Sequence, residues 1–166
     1  MDNLQRRGLK LDKTDLKILA ELQNNSHIKR NELSEKIGLS LPSTLDRIAK
    51  LESNGFIKQY TVLLDYKKLL YDITCFIFIS SESSKHYKDI TANALKNPEV
   101  LECHSITGEG SHMLKIRTEN TSSLEKLLAK IQTWPGVHST KTSIVLSSVK
   151  ETTVIDLNTH FKKLNL

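Results

Sequence analysis

Five polar side chains, Ser43, Asp46, Arg47, Lys50 and Asn54, stand at i, i+3, i+4, i+7 and i+11. That spacing places them on one face of a helix. Their chemistry suits a nucleic-acid duplex. Arg47 can grip a phosphate or donate two bonds to guanine, and Lys50 suits phosphate. Asp46 repels phosphate but can accept from a cytosine amino group. Ser43 and Thr44, near the helix start, can meet backbone oxygens or base edges. A plain solvated helix face would carry the same stripe, so the preceding residues decide the reading.

Those residues form two short helices joined at a turn. Residues 30–37 have Leu33 and Ile37 at i,i+4 spacing, and Gly38-Leu39-Ser40 supplies a tight turn followed by a helix N-cap at Ser40. A further helix runs from Leu41 to about Asn54, with Pro42 tolerated in its first turn and Asn54-Gly55 as its stop. Leu41, Leu45, Ile48 and Leu51 are expected to point inward. A helix opens the bundle at Asp12, where Asp12 can cap, Asp15 lies three residues on and Leu11 can staple against Leu16. Leu16, Ile18, Leu19 and Leu22 make it apolar on one side. Together these are the sequence form of a helix-turn-helix, whose second helix enters the DNA major groove.

The texture changes after Leu70. Residues 57–65 read as a strand or stiff connector. Beyond them come a buried strand over 73–80, a helix over 85–96 with Tyr87, Ile90, Ala94 and Leu95 near helical spacing, and a strand over 100–107. A turn at 108–111, a strand over 112–117, a helix over 122–133 and a long final strand over 137–149 complete the series. The order β-α-β-β-α-β predicts a ferredoxin-like antiparallel sheet with helices on one face, so the fold class is α+β. The run ITCFIFIS has too many apolar residues for a solvated outer face, which implies that a second copy covers it. A mobile basic arm over 1–10 and a tail helix carrying Leu157, Phe161 and Leu164 are expected at the ends.

The chain of 166 residues has a net charge of +5. Splitting it after Tyr60 leaves 11 Lys/Arg against 8 Asp/Glu in the first part, so the basic excess is denser there. This suits an anionic partner without naming one. No apolar run approaches the roughly 20 residues that cross a bilayer. The opening MDNLQRRGLKLDKTD lacks the apolar core of a signal peptide, so a cytoplasmic protein with no membrane partner is expected. Cys75 and Cys103 read as free buried thiols, with a disulfide between them as the lesser alternative. No zinc spacing, nucleophile-base set, P-loop or dinucleotide fingerprint is present, so neither metal, cofactor nor enzyme activity is expected.

Four segments carry a family resemblance. LDKTDLKILAELQNN, then ELSEKIGLSLPSTLDRIAKLESNGFIKQYTVLLD, then ECHSITGEGSHMLK, then WPGV with a closing strand to VKETT, together resemble the Lrp/AsnC family of transcriptional regulators. The resemblance runs from Leu11 to about Thr153. It implies a winged helix-turn-helix domain over 1–57, a hinge strand or linker over 58–70, a dimerisation and effector domain over 71–151, and a tail over 152–166. It also implies binding to double-stranded DNA, self-association into dimers and on to tetramers or octamers, and sensing of a small amino acid between C-terminal domains. Carried over, the DNA-binding set is Lys29, Ser40, Ser43, Thr44, Asp46, Arg47 and Lys50, and the effector set is Gly108, Glu109, Gly110, Ser111 and His112.

The departures from the pattern bear on both sets. His27 stands where the family usually has Arg. Lys29 stands where Ser or Thr often caps a helix, so the cap is weakened or shifted to Asn31, and Lys29 offers a phosphate contact instead. The family's effector loop is close to Gly-Asp-x-Asp-Tyr, whereas here Ser111 replaces the second acid and His112 the aromatic. Loss of an acid removes a charge-assisted partner for a ligand ammonium. The expectation is an effector pocket of altered specificity or a plain β-turn. For the whole chain it is a sequence-specific, amino-acid-modulated regulator. Two rivals are a weakly selective architectural DNA-binding protein and an amino-acid-binding module without effective DNA recognition.

Overall fold

The structure, a computed structural model, describes residues 11–157 and 159. The expected basic arm over 1–10, and Phe161 and Leu164 of the tail, lie outside the described residues. The chain falls into two compact units. One runs to Leu63 and includes the residues from Glu151 onward; the other is Leu64–Lys150.

The first unit is built on α1 (Lys13–Asn24), α2 (Arg30–Ile37) and α3 (Leu41–Ser53). Asp12 and Asp15 start α1 with a capping box. The Asp15 amide donates to Asp12 Oδ1 at 2.8 Å, and the Asp12 amide donates to Asp15 Oδ2 at 3.1 Å. Lys29 is the N-cap of α2 and makes no side-chain cap bond, so the cap is absent and has not moved to Asn31. Gly38 ends α2 at φ +77°, a conformation a side chain would resist, and Ser40 caps α3 by accepting from the Ser43 amide. The core comprises Leu11, Leu16, Ile18, Leu22, Ile28, Leu33, Ile48 and Leu51.

One inward and one outward assignment on α3 need correction. Leu45 is 44 % exposed, and Thr44 is fully buried with Ile48 and Leu51. The buried positions therefore run i, i+4, i+7 from Thr44, and Leu45 lies about 100° further round the helix. Thr44 tolerates burial because its hydroxyl donates to the Ser40 carbonyl at 3.1 Å.

Residues 57–65 carry no strand, so the connector reading holds: among the described residues no ladder partner lies beside them, and Val62, Leu63 and Leu64 are exposed. Tyr60 nevertheless donates to Glu52 Oε1 at 2.8 Å, and Arg30 lies 5.7 Å from its ring centroid. The tail joins this unit through Gln23, which donates to the Ile155 carbonyl and accepts from its amide. Leu157 packs on the core.

The second unit contains β1 (Ile73–Ser81), a 3₁₀ turn (Ser84–His86), α4 (Tyr87–Leu95), β2 (Val100–Ser105), β3 (His112–Thr118), α5 (Thr121–Gln132) and β4 (Val137–Ile144). The strands form one antiparallel sheet in the order β2-β3-β1-β4. Cys75, Ile77 and Ile79 of β1 and Leu114 and Ile116 of β3 meet Ile90, Ala94, Leu124, Leu127, Ile131 and Trp134 in one core. Burial pushes the Cys75 thiol up to about 11, and both cysteines are free. Leu95 does not join the apolar face of α4: it is 86 % exposed, one residue beyond buried Ala94. The final strand is shorter than the sequence pattern suggests. Its last pairs are Ile144 with Cys75 and the Val145 amide with the Thr74 carbonyl, because β1 begins at Ile73 and offers no further ladder. Leu146 and Val149 are consequently exposed.

Arg47 ties α3 to the start of α1. Its Nη1 lies 2.7 Å from Asp12 Oδ2 and 2.8 Å from Asp15 Oδ1. Arg47→Ala is expected to lower stability by about 1 kcal/mol, a modest value because the group is partly solvated. Burial raises the Asp12 carboxyl, but hydrogen bonds from the Asp15 amide and Arg47 outweigh this and hold it below its ordinary 3.8. A depressed carboxyl contributes stability above its unfolded pKa and loses it as pH falls through the folded one. The wild-type advantage over Arg47→Ala in urea should be complete at pH 7 and shrink below pH 3.8. An advantage unchanged at low pH would remove the ion pair as its source.

Candidate functional site

The candidate DNA-contacting residues divide on inspection. Ser43, Asp46 and Lys50 are exposed on α3, with Ser40 at its N-cap and Lys29 exposed at the start of α2. Thr44 is not available to bases or phosphates, for the reasons of burial given above. Arg47 does not project from the helix as a free reader, because Asp12 and Asp15 hold it. Lys50 Nζ lies 2.6 Å from Asp46 Oδ2, so the remaining cation of the stripe is paired as well, in an exposed i,i+4 contact. Such a pair is weak and can be exchanged for a phosphate at small cost. A cleft of about 460 Å³ runs beside the helix, with Asp15, Ser43, Asp46, Arg47, Lys50 and Asn54 among its lining. Pro42, Leu45 and Ala49, which the sequence reading did not place on the outward face, share the exposed side of α3. The apolar character of Leu45 concealed it, since a leucine on an amphipathic helix is ordinarily assigned to the core.

The candidate effector residues lie where β3 begins, but they do not all face one way. Gly108 has φ +97° and open space around it. Gly110 has φ +98°, and a Cβ there would stand 2.8 Å from the Ile79 carbonyl oxygen. That oxygen anchors the turn, accepting from the Ser111 amide at 2.7 Å and from Ser111 Oγ at 3.1 Å. Glu109 is exposed and meets Lys141 of β4 at 2.8 Å. The bond from Lys141 holds the Glu109 carboxyl below the usual range.

His112 is fully buried. On β3 it shares the helix-facing side with Leu114 and Ile116, and its ring meets Tyr87 edge-on at 4.8 Å. Its Nδ1 is 2.9 Å from Ser111 Oγ. The single Ser111 hydroxyl proton goes to Ile79, so Nδ1 must carry the proton in the bond to Ser111. Nε2 is then an acceptor, buried without a partner. Burial pushes the His112 pKa down. Among the described residues, no group of three or more His, Cys, Asp or Glu could hold a metal ion.

Two outcomes follow. Gly110→Ala should destabilise the chain more than Gly108→Ala. Both incur positive-φ strain of about 1–3 kcal/mol, but only Gly110 adds a backbone clash. Thermal melts would show the order, and equal losses would put the clash in doubt. For His112, a depressed histidine keeps its full stability contribution above the unfolded pKa of about 6.5 and loses it as pH falls toward the folded one. Stability should therefore drop below about pH 6.5 in the wild type, and less so in His112→Phe. Parallel pH profiles for the two proteins would remove His112 as the cause.

Comparison with known proteins places both units. Residues 11–58 match the family described as winged helix-turn-helix DNA-binding, and residues 74–155 match the Lrp/AsnC ligand binding domain. The HTH-type transcriptional regulator FL11 of Pyrococcus horikoshii is 37% identical over 147 residues, 89% of this chain and 97% of that one. The leucine-responsive regulatory protein of Escherichia coli is 34% identical over 164 residues, 96% of this chain and 99% of its own. The crystal structure of a Neisseria meningitidis transcriptional regulator in complex with L-Met superposes with a TM-score of 0.86 at 34% identity, covering 91% of this chain and 99% of that one. No helix among the described residues is long and apolar enough to cross a membrane. Relatives of both units are named as transcriptional regulators, a non-enzymatic class, and the chain belongs to the Lrp/AsnC family of DNA-binding transcriptional regulators.

Proposed function

We propose that this regulator acts in the cytoplasm by presenting α3 to the DNA major groove, with the second unit pairing copies and sensing a small amino acid. The observation that carries the DNA reading is the α2-turn-α3 geometry, with Gly38 at φ +77° and the exposed start of α3 capped by Ser40. Ser40 and Ser43 are proposed to meet backbone oxygens, and Lys29 and Lys50 to meet phosphates. Asp46 releases Lys50 for this contact and screens against misplaced phosphates. Arg47 acts by holding the angle of α3 through Asp12 and Asp15.

Pairing is supported by the sheet face away from the helices. Phe76 and Phe78 of β1 and Met113 of β3 lie together there, half-buried by one chain. Glu102 accepts from Lys115 and lies 3.1 Å from His104 Nε2, so the three form a polar rim. An apolar centre with a polar rim has the anatomy of an interface, and a second copy related by a two-fold axis would cover it. Such a dimer presents two copies of α3 to an imperfect palindrome, and further assembly to tetramers or octamers adds avidity.

Amino-acid sensing is assigned to the turn at Gly108, Glu109, Gly110 and Ser111. The ligand ammonium would compete with Lys141 for Glu109, while Ser111 accepts a neutral bond. His112 supports the turn from the core side. The L-Met held by the Neisseria relative is the precedent for a ligand of this class.

Two measurements test the proposal. Fluorescence anisotropy on duplex DNA from upstream of the chain's own gene, with scrambled competitor and a pool of amino acids, should show selective binding that shifts with amino acids. Equal binding to scrambled DNA would favour weakly selective architectural binding. Selective binding with no shift would leave the turn as a connector. Phe78→Glu should dissociate the dimer in sedimentation velocity and weaken DNA binding together. A variant that stays dimeric would move the interface off this face.

A further inference from the structure

The exposed side of α3 is unusual in what it lacks. Arg47 is withdrawn to Asp12 and Asp15, and Lys50 lies 2.6 Å from Asp46. No Asn or Gln occurs within Leu41–Ser53, and Asn54 of the polar stripe sits at the C-cap, so the middle of α3 carries no side chain that reads adenine with two bonds. Beside the exposed Ser43, Asp46 and Lys50, this face also presents Pro42, Leu45 and Ala49, at i, i+3 and i+7. A lone exposed leucine is ordinary. This one lies on the second helix of a helix-turn-helix, midway between its capped start and Lys50, where base edges would pass.

Base edges in the major groove present hydrogen-bonding groups and one apolar feature, the thymine C5-methyl. Leucine over a cytosine would cover no methyl and would strip water from the amino group without replacing its bond. Leucine over a thymine gains contact with the methyl at no such cost. We infer that Leu45, flanked by Pro42 and Ala49, contacts thymine methyl groups and specifies T·A pairs at the centre of each half-site. The inference rests on the proposed presentation of α3 to the major groove. It makes shape and methyl contact, more than bidentate hydrogen bonding, the source of selectivity in the middle of α3.

The test starts by enriching sites from a random duplex pool with the full chain. Each thymine of the enriched site is then replaced by deoxyuridine, which removes the methyl alone. Affinity is measured by anisotropy at fixed salt. Each contacted methyl should be worth about fourfold in affinity for the wild type. Leu45→Ala, which changes an exposed side chain, should bind the thymine and uracil sites alike. The uracil scan on the unaltered protein stands whether or not that variant is sound. An enriched site at which every uracil is neutral overturns this inference and leaves the DNA reading intact. Equal uracil losses in both proteins move the contact off Leu45 and overturn it as well. Failure to enrich any site would overturn the inference together with the reading on which it rests.

Discussion

Arg47 sits where four carboxylate oxygens have to be satisfied at once. The capping box at the start of α1 takes one oxygen from each acid, Asp12 Oδ1 and Asp15 Oδ2. The other two, Asp12 Oδ2 and Asp15 Oδ1, face the Arg47 guanidinium. One cation therefore completes a helix start and binds it to the middle of α3. Two acids alone at a helix N-terminus interact well with the helix dipole but repel each other, and the guanidinium offsets that repulsion. The angle of α3 against α1 is thereby set by charge as well as by Ile18, Leu33, Ile48 and Leu51. The outward face of α3 follows from that angle, and with it which side chains can reach DNA.

The second unit depends on a comparable double commitment by β1. Its odd-numbered residues, Cys75, Ile77 and Ile79, fill the helix-side core, and Phe76 and Phe78 lie on the opposite face. Among the described residues of this unit, the helices cover only one side of that strand, and the proposed second copy would cover the other. The same strand holds the turn before β3, since the Ile79 carbonyl receives both the amide and the hydroxyl of Ser111. A change in how β1 is covered would reach the turn through that single oxygen. In the proposed assembly, this oxygen is the physical link between the paired sheet face and the effector turn, and any coupling through it is reciprocal.

The loop chemistry rests on contacts of the same local kind. Glu109 is paired on the surface with Lys141, and Ser111 spends its proton on Ile79. His112 turns away into the core against Tyr87. At the proposed effector turn, a ligand ammonium would meet one acid already paired with the exposed Lys141. Selectivity in such a site depends more on the shape of the ligand side chain than on charge.

Much of the architecture was legible from local patterns. The capping box at Asp12, the turn at Gly38, the cap at Ser40 and the β-α-β-β-α-β order are encoded within a few residues of each other, and local hydrogen bonding and periodicity suffice to read them. Contacts between segments distant in sequence were not legible. Asp12 and Arg47 are 35 residues apart, and no local pattern marks them as partners. Whether Thr44 or Leu45 faces inward depends on the rotation of α3 about its axis, which only its neighbours decide. The end of β4 at Ile144 is decided by where β1 begins. His112 entered the effector set through the family resemblance of the loop, and strand alternation sent it to the core. Local sequence thus determined which elements form, and tertiary packing decided which of their side chains remain free to act.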